Sequence, residues 1–127
     1  METKRQRQVG ELVKRNFSMV LQQEGTYIYG AEPLVTVTSV KMSPDLSLAK
    51  IYVSIWNTEN PQAVMLHLEE DHNRLRQSLG QRLRRHVRRI PDIAIYQDET
   101  LDEIYRVDSL FDRLHDENQM GEKEEDE

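Results

Sequence analysis

Two stretches of nine residues limit the possible folds more than any other feature: residues 34–42, LVTVTSVKM, and residues 48–56, LAKIYVSIW. Both are rich in β-branched residues, and both read as alternating. In the second, Ala49, Ile51, Val53 and Ile55 alternate with Lys50, Tyr52 and Ser54. Period-two alternation places one apolar set on one face of an extended strand. The link, SPDLS, starts with Ser43-Pro44-Asp45, where Pro sets φ and Asp can bond its own backbone. So short a link joins antiparallel strands. A β-hairpin is therefore predicted.

Helical patterns flank it. Val9, Leu12, Val13, Phe17, Val20 and Leu21 step by three and four, which predicts an amphipathic helix over residues 5–24. Gly25 stands where a C′ glycine belongs, and TYIYGAEP (26–33) reads as a loop. Pro61 fits a first helical turn capped by Thr58 or Asn60, and Val64, Met65 and Leu68 mark a face over 61–70. Asp71-His72-Asn73, three poor helix formers, interrupts. A second long helix is expected over 73–90, with Leu75, Leu79, Leu83, Val87 and Ile90 in an arc of about 120°. Arg76 falls inside that arc, which the pattern does not explain. Pro91 ends the helix. DIAIYQ (92–97) reads as a third strand, and Thr100 and Glu103 have capping-box spacing ahead of a last helix through Leu114. The predicted fold is α+β, with helices packed on a small three-stranded sheet over residues 1–114 and a disordered acidic tail at 115–127.

The net charge of −6 hides an uneven distribution. Residues 114–127 hold seven acids and one Lys, which leaves residues 1–113 neutral. Within that body, seven arginines and no acid lie between Arg74 and Arg89, and residues 1–15 hold five bases and two acids. Like charges at helical spacing repel, and a bound anion relieves that cost. Arginine also suits phosphate, because its planar fork bonds two oxygens. Nucleic acid is the favoured ligand; an acidic protein, or the chain's own tail, is the rival. Tyr27, Tyr29, Tyr52, Trp56 and Tyr96 could stack on bases only if grouped on one surface, which the sequence does not show.

Other classes find little support. No apolar run approaches the roughly 18 residues that span a bilayer. METKRQRQVGELVKR lacks the apolar core of a secretory signal, and there are no cysteines, so a cytoplasmic location is expected. No Gly-rich phosphate loop occurs, and His67 and His72 are five apart, not on one face as a helical metal pair would be. No enzyme, metal site or cofactor is expected.

Four stretches together resemble the ribosome-binding factor A family: RQVGELVKRNFSMVLQQE, VTVTSVKMSPDLSLAKIYVSIWN, LRQSLGQRLRRHVRRIPDI, and Tyr96-Gln97-Asp98-Glu99-Thr100. The core VKMSPDLSLAKIYV is the most specific. The resemblance covers roughly residues 5–112. It implies a type II KH-like fold, of order α-β-β-α-α-β with a further C-terminal helix. It implies binding to the 30S subunit or its precursors and late 16S rRNA maturation, including 5′-end processing, with importance in the cold and no catalysis. It also implies transient contact with a ribosome-assembly GTPase or an initiation factor; the chain is expected to be a monomer. Where the family carries Ala-x-Gly between its helices, this chain has Asp71-His72-Asn73. Asn73 can replace a glycine at positive φ, or cap the helix that follows. Asp71 adds negative charge and moves the weight elsewhere. The expected rRNA-binding residues are Asn73, Arg74, Arg76, Arg82, Arg84, Arg85, Arg88 and Arg89, with Lys4, Arg5 and Arg7 as a second basic area.

Overall fold

The computed structural model of the chain describes residues 2–98. Six elements follow in order: α1 (Lys4–Tyr29), β1 (Leu34–Met42), β2 (Leu48–Trp56), α2 (Pro61–Glu70), α3 (His72–Leu83) and β3 (Asp92–Gln97). This is an α+β, KH-like fold with helices packed on a three-stranded sheet of order β1-β2-β3. The helix expected over 100–114 and the acidic tail lie outside the described residues.

β1 and β2 form the expected antiparallel hairpin, with one irregularity. Pairing runs from Leu34–Trp56 to Val37–Val53, skips Thr38, and resumes from Ser39–Tyr52 to Met42–Ala49. One extra residue in a strand reverses its alternation. Val35 and Val37 therefore turn to the core before the bulge, and Val40 and Met42 after it. β3 pairs parallel to β2 on the other side, from Leu48–Asp92 to Val53–Gln97. A parallel pair needs a long crossover, and α2 and α3 provide it.

The core lies between the helices and the inner face of the sheet. Val13 and Phe17 of α1, Ala49, Ile51 and Val53 of β2, Leu68 of α2, and Leu75, Leu79 and Leu83 of α3 are fully buried. A capping box opens α1: the Gln6 N–H donates to Thr3 Oγ1 at 3.1 Å, and the Thr3 N–H donates to Gln6 Oε1 at 2.8 Å. The buried Gln6 side chain also donates from Nε2 to the Met42 carbonyl at 2.9 Å, pinning the start of α1 to the end of β1. Gly10 permits the close approach of α1 to β1, since a Cβ there would stand 3.2 Å from the Val40 carbonyl oxygen.

Two helix ends differ from expectation. α1 continues past Gly25 to Tyr29. Gly25 is buried inside the helix, and the Tyr29 ring occupies the space its Cβ would need. The extra turn buries Ile28, and Gly30, at φ 96°, is the actual cap, with its N–H donating to the Thr26 carbonyl at 3.1 Å. α3 ends at Leu83, not at residue 90. The N–H groups of His86 and Val87 both donate to the Leu83 carbonyl, at 2.8 and 3.1 Å, and the chain folds back. Ile90 then packs on Gly80, where a Cβ would lie 3.3 Å from Ile90 Cγ2, and Pro91 is buried behind it. Val87 and Ile90 are apolar because they pack on the core, as expected, but a non-helical segment brings them there. The residue before a proline is pushed out of helical geometry, which keeps Ile90 non-helical. At α2 the cap is Asn60, whose Oδ1 accepts from the Ala63 N–H at 3.2 Å.

The hairpin turn is held by one carboxylate. Asp45 Oδ1 accepts from the Ser47 hydroxyl at 2.7 Å, the Ser43 hydroxyl at 2.8 Å and the Ser47 N–H at 3.1 Å. These bonds favour the ionised form and hold the Asp45 pKa at about 2. The folded value lies below the ordinary one, so the stabilisation is present above about pH 4 and is lost as pH falls toward 2. Asp45→Asn should lower Tm at neutral pH, and its Tm should fall less steeply than the wild type's between those limits; thermal melts of both proteins at stepped pH check this, and parallel slopes would refute it. Leu79→Ala should cost roughly 2–5 kcal/mol in urea unfolding, because the fully buried leucine leaves a cavity between α1, α3 and the sheet.

Candidate nucleic-acid interface

The placement of the arginines starts from Leu75, Leu79 and Leu83, all fully buried. At 100° per residue these three span only about 80°. With Val87 removed from the helix, Arg76 lies just outside the apolar arc, at about 100° from Leu75. It is exposed, and the conflict in the sequence pattern disappears.

The remaining positions of α3 divide into two flanks. On the flank toward α1, Arg74 Nε donates to Glu24 Oε1 at 2.9 Å, and the Ser78 hydroxyl donates to Glu24 Oε2. The Arg74 guanidinium also stands 6.0 Å from the centre of the Tyr27 ring. Arg82 lies along α1 with Nη2 2.9 Å from Met19 Sδ, and its Nε is buried with no partner among the described residues. On the opposite flank Arg76 Nε is 3.5 Å from Asp92 Oδ1. His72 joins the same corner, donating from Nε2 to the Ile93 carbonyl at 2.9 Å. There Asn73, Arg76, Gln77, Gly80, Gln81, Arg84 and Ile90 line an open groove of about 530 Å³.

The expectation of one continuous helical arginine face is corrected. Arg84, Arg85, Arg88 and Arg89 lie beyond the end of α3, in the segment that turns back toward Pro91. All four are exposed, and among the described residues none has a carboxylate partner. Asn73 has neither role open to it in the sequence reading. It sits in the first turn of α3 with ordinary helical geometry; among the described residues the non-glycine residues at positive φ are Leu46 and Asn57. Asp71 alone forms the joint between α2 and α3, at φ −100° and ψ 24°, a bridge-region conformation that needs no glycine. Its side chain makes no cap bond.

Lys4, Arg5 and Arg7 are exposed in the first turns of α1, with no acid beside them in the first turn. The helix dipole disfavours cations at an N-terminus. Arg7 faces β1 across a groove of mixed charge that also includes Glu2, Glu11, Lys14 and Lys41. It lies twelve residues along α1 from Met19, about 18 Å, so this area is distinct from the α3 flanks. The capping box that orders it was legible as Thr3-x-x-Gln6 but was not part of the sequence reading. Of the aromatic residues considered for stacking, Tyr52 and Tyr96 stack on each other. Tyr27 lies beside Arg74, and Tyr29 is half-buried, which raises its pKa.

Comparison with known proteins agrees with this architecture. The profile of the family described as ribosome-binding factor A matches residues 5–111. Ribosome-binding factor A of Cytophaga hutchinsonii is 33% identical over 114 residues, covering 90% of this chain and 85% of that one. The crystal structure of ribosome-binding factor A from Thermus thermophilus is similar with a TM-score of 0.59 at 22% identity, over 72% of this chain and 94% of that one. Coordinates of the Thermus thermophilus factor fitted into the cryo-EM map of its 30S complex are similar with a TM-score of 0.55 at 26% identity, over 70% of this chain and 90% of that one.

Glu24 holds Arg74 and Ser78 together, so Glu24→Gln separates stability from anion binding. It should cost about 1 kcal/mol or less, as for a partly exposed pair, while freeing Arg74 and raising affinity for a labelled RNA duplex in fluorescence anisotropy. Unchanged or weaker RNA binding would show that Arg74 does not face the ligand.

Proposed function

The chain belongs to the ribosome-binding factor A family, and from that premise we propose that it binds the 30S subunit or its precursors and assists late 16S rRNA maturation, including 5′-end processing, without catalysing a reaction. The observation that carries this reading is the arginine segment. Four exposed guanidinium groups, on Arg84, Arg85, Arg88 and Arg89, stand close in sequence with no carboxylate partner among the described residues. Such a set repels itself unless an anion is bound, and closely spaced phosphates match it. The groove beside it, which Arg84 also lines, adds Asn73 and Arg76 as polar contacts. Arg74 and Arg82 take part less, because Glu24 and Met19 already hold them. Lys4, Arg5 and Arg7 form the second contact area.

Contacts of this kind position a protein on the RNA backbone without reading sequence; specificity comes from RNA shape. The protein shifts an rRNA folding equilibrium only by its differential affinity for the two states, so it binds precursors more tightly than mature subunits. It acts as a monomer in the cytoplasm, in the cold especially, and leaves when a ribosome-assembly GTPase or an initiation factor displaces it.

Co-sedimentation with mature 30S subunits and with immature precursors, across a salt series, tests the reading. The wild type should bind precursors preferentially. Changing Arg84, Arg85, Arg88 and Arg89 to Gln should lower the log–log salt slope by about 3, at roughly 0.7–0.9 per phosphate contact. Changing Arg74 alone should alter it by less than 1. Absence of binding to either particle would overturn the proposal in favour of an acidic protein partner for the same arginines.

A further inference from the structure

The face of the sheet turned away from α1, α2 and α3 carries a second grouping. Across β1 and β2 the register sets Lys41 opposite Lys50 and Ser39 opposite Tyr52; across β2 and β3 it sets Tyr52 opposite Tyr96. The intervening residues Val40, Ile51 and Ile95 pack on the core, so these side chains share the outer face. The two tyrosine rings stack with centroids 5.4 Å apart and planes 27° apart. Tyr96 is 44% exposed, and both lysines are exposed. Neither lysine has a carboxylate partner among the described residues.

Two lysines directly opposite each other weaken a sheet. Protection of the edge explains a lysine on β1, since charged edge residues block pairing with another chain. It does not explain Lys50, which lies on the central strand. A second copy of the chain on this face would bring further lysines against these two. A ligand with anionic groups and flat apolar faces satisfies both features. Unpaired nucleotides have both: bases stack on aromatic rings while phosphates meet ammonium groups. A duplex offers no free base faces.

We propose that Tyr52 and Tyr96, with Lys41 and Lys50, form a binding surface for single-stranded RNA, separate from the arginine segment and its groove. This deepens the ribosome-binding reading and rests on it for the source of the strand: the sheet takes an unpaired rRNA segment while the arginines hold backbone phosphates elsewhere.

The test uses the full-length protein and a fluorescein-labelled hexauridylate, with a labelled RNA duplex as reference. In anisotropy titrations Tyr96→Ala should weaken hexauridylate binding at least about fivefold, the low end for loss of one base–aromatic stack. Tyr96→Phe should stay within about twofold of wild type, since it keeps the ring. Duplex binding should be unchanged in both. In wild-type protein, NMR titration with hexauridylate should shift the Tyr52 and Tyr96 ring resonances and the Lys41 and Lys50 amides, a reading that does not depend on any variant folding. The proposal is overturned if Tyr96→Ala binds hexauridylate as wild type does, if Phe loses as much as Ala, or if the shifts map to Arg84–Arg89 alone. Wild-type protein that sediments with 30S particles but ignores hexauridylate overturns this inference and leaves the ribosomal reading standing. Hexauridylate binding at Tyr96 without sedimentation supports the surface and removes the ribosomal reading.

Discussion

The leucine stripe of α3 governs where every cation of the central segment can go. Leu75, Leu79 and Leu83 are wholly buried, and burial of each contributes on the order of 1.5–3 kcal/mol. The pair of Arg74 with the partly buried Glu24 and the exposed pair of Arg76 with Asp92 contribute about 0–1 kcal/mol each. The helix therefore rotates to satisfy its leucines, and the arginines follow. One flank of α3 meets α1, where Glu24 and Met19 take Arg74 and Arg82. The other flank opens on the groove. Where the leucine stripe stops, the helix stops, and the chain returns through Ile90 and the buried Pro91 to start β3.

Several features of this chain oppose its own stability. Four unpaired arginines sit close in sequence, cations occupy the first turn of α1, and two lysines face each other across the hairpin. Each arrangement has an electrostatic cost in the free protein, and each loses that cost when an anion binds. Folding is secured elsewhere, by the capping box of α1, the Asp45 turn and a core that joins all six elements. A scaffold that carries unbalanced positive charge on different surfaces is what the proposed RNA contacts at more than one place require.

The legibility of the sequence followed the range of the forces involved. The hairpin, a cap at Thr58 or Asn60 and the third strand were readable because alternation, capping and proline act over a few residues; the structure chose Asn60. The resemblance to a known family was readable for the same local motifs. Residues 34–42 read as a regular alternation, and only the pairing with β2 reveals the bulge between Val37 and Ser39. Gly25 looked like a helix end, and it was the packing of Tyr29 and Ile28 that carried the helix through it. Val87 and Ile90 kept helical spacing although they are not in a helix, because spacing records which residues are buried and not the backbone that delivers them.

By itself the sequence determined the order and type of the described elements, the apolar face of each, and the concentration of positive charge between Arg74 and Arg89. Tertiary structure alone decided which arginines are engaged and which are free, that Asn73 has ordinary helical geometry, and that Tyr52 and Tyr96 meet. The reason is one of distance. Periodicity and propensity are set by neighbours along the chain, whereas Glu24 lies 50 positions from Arg74 and reaches it only after α1 and α3 have packed on the sheet.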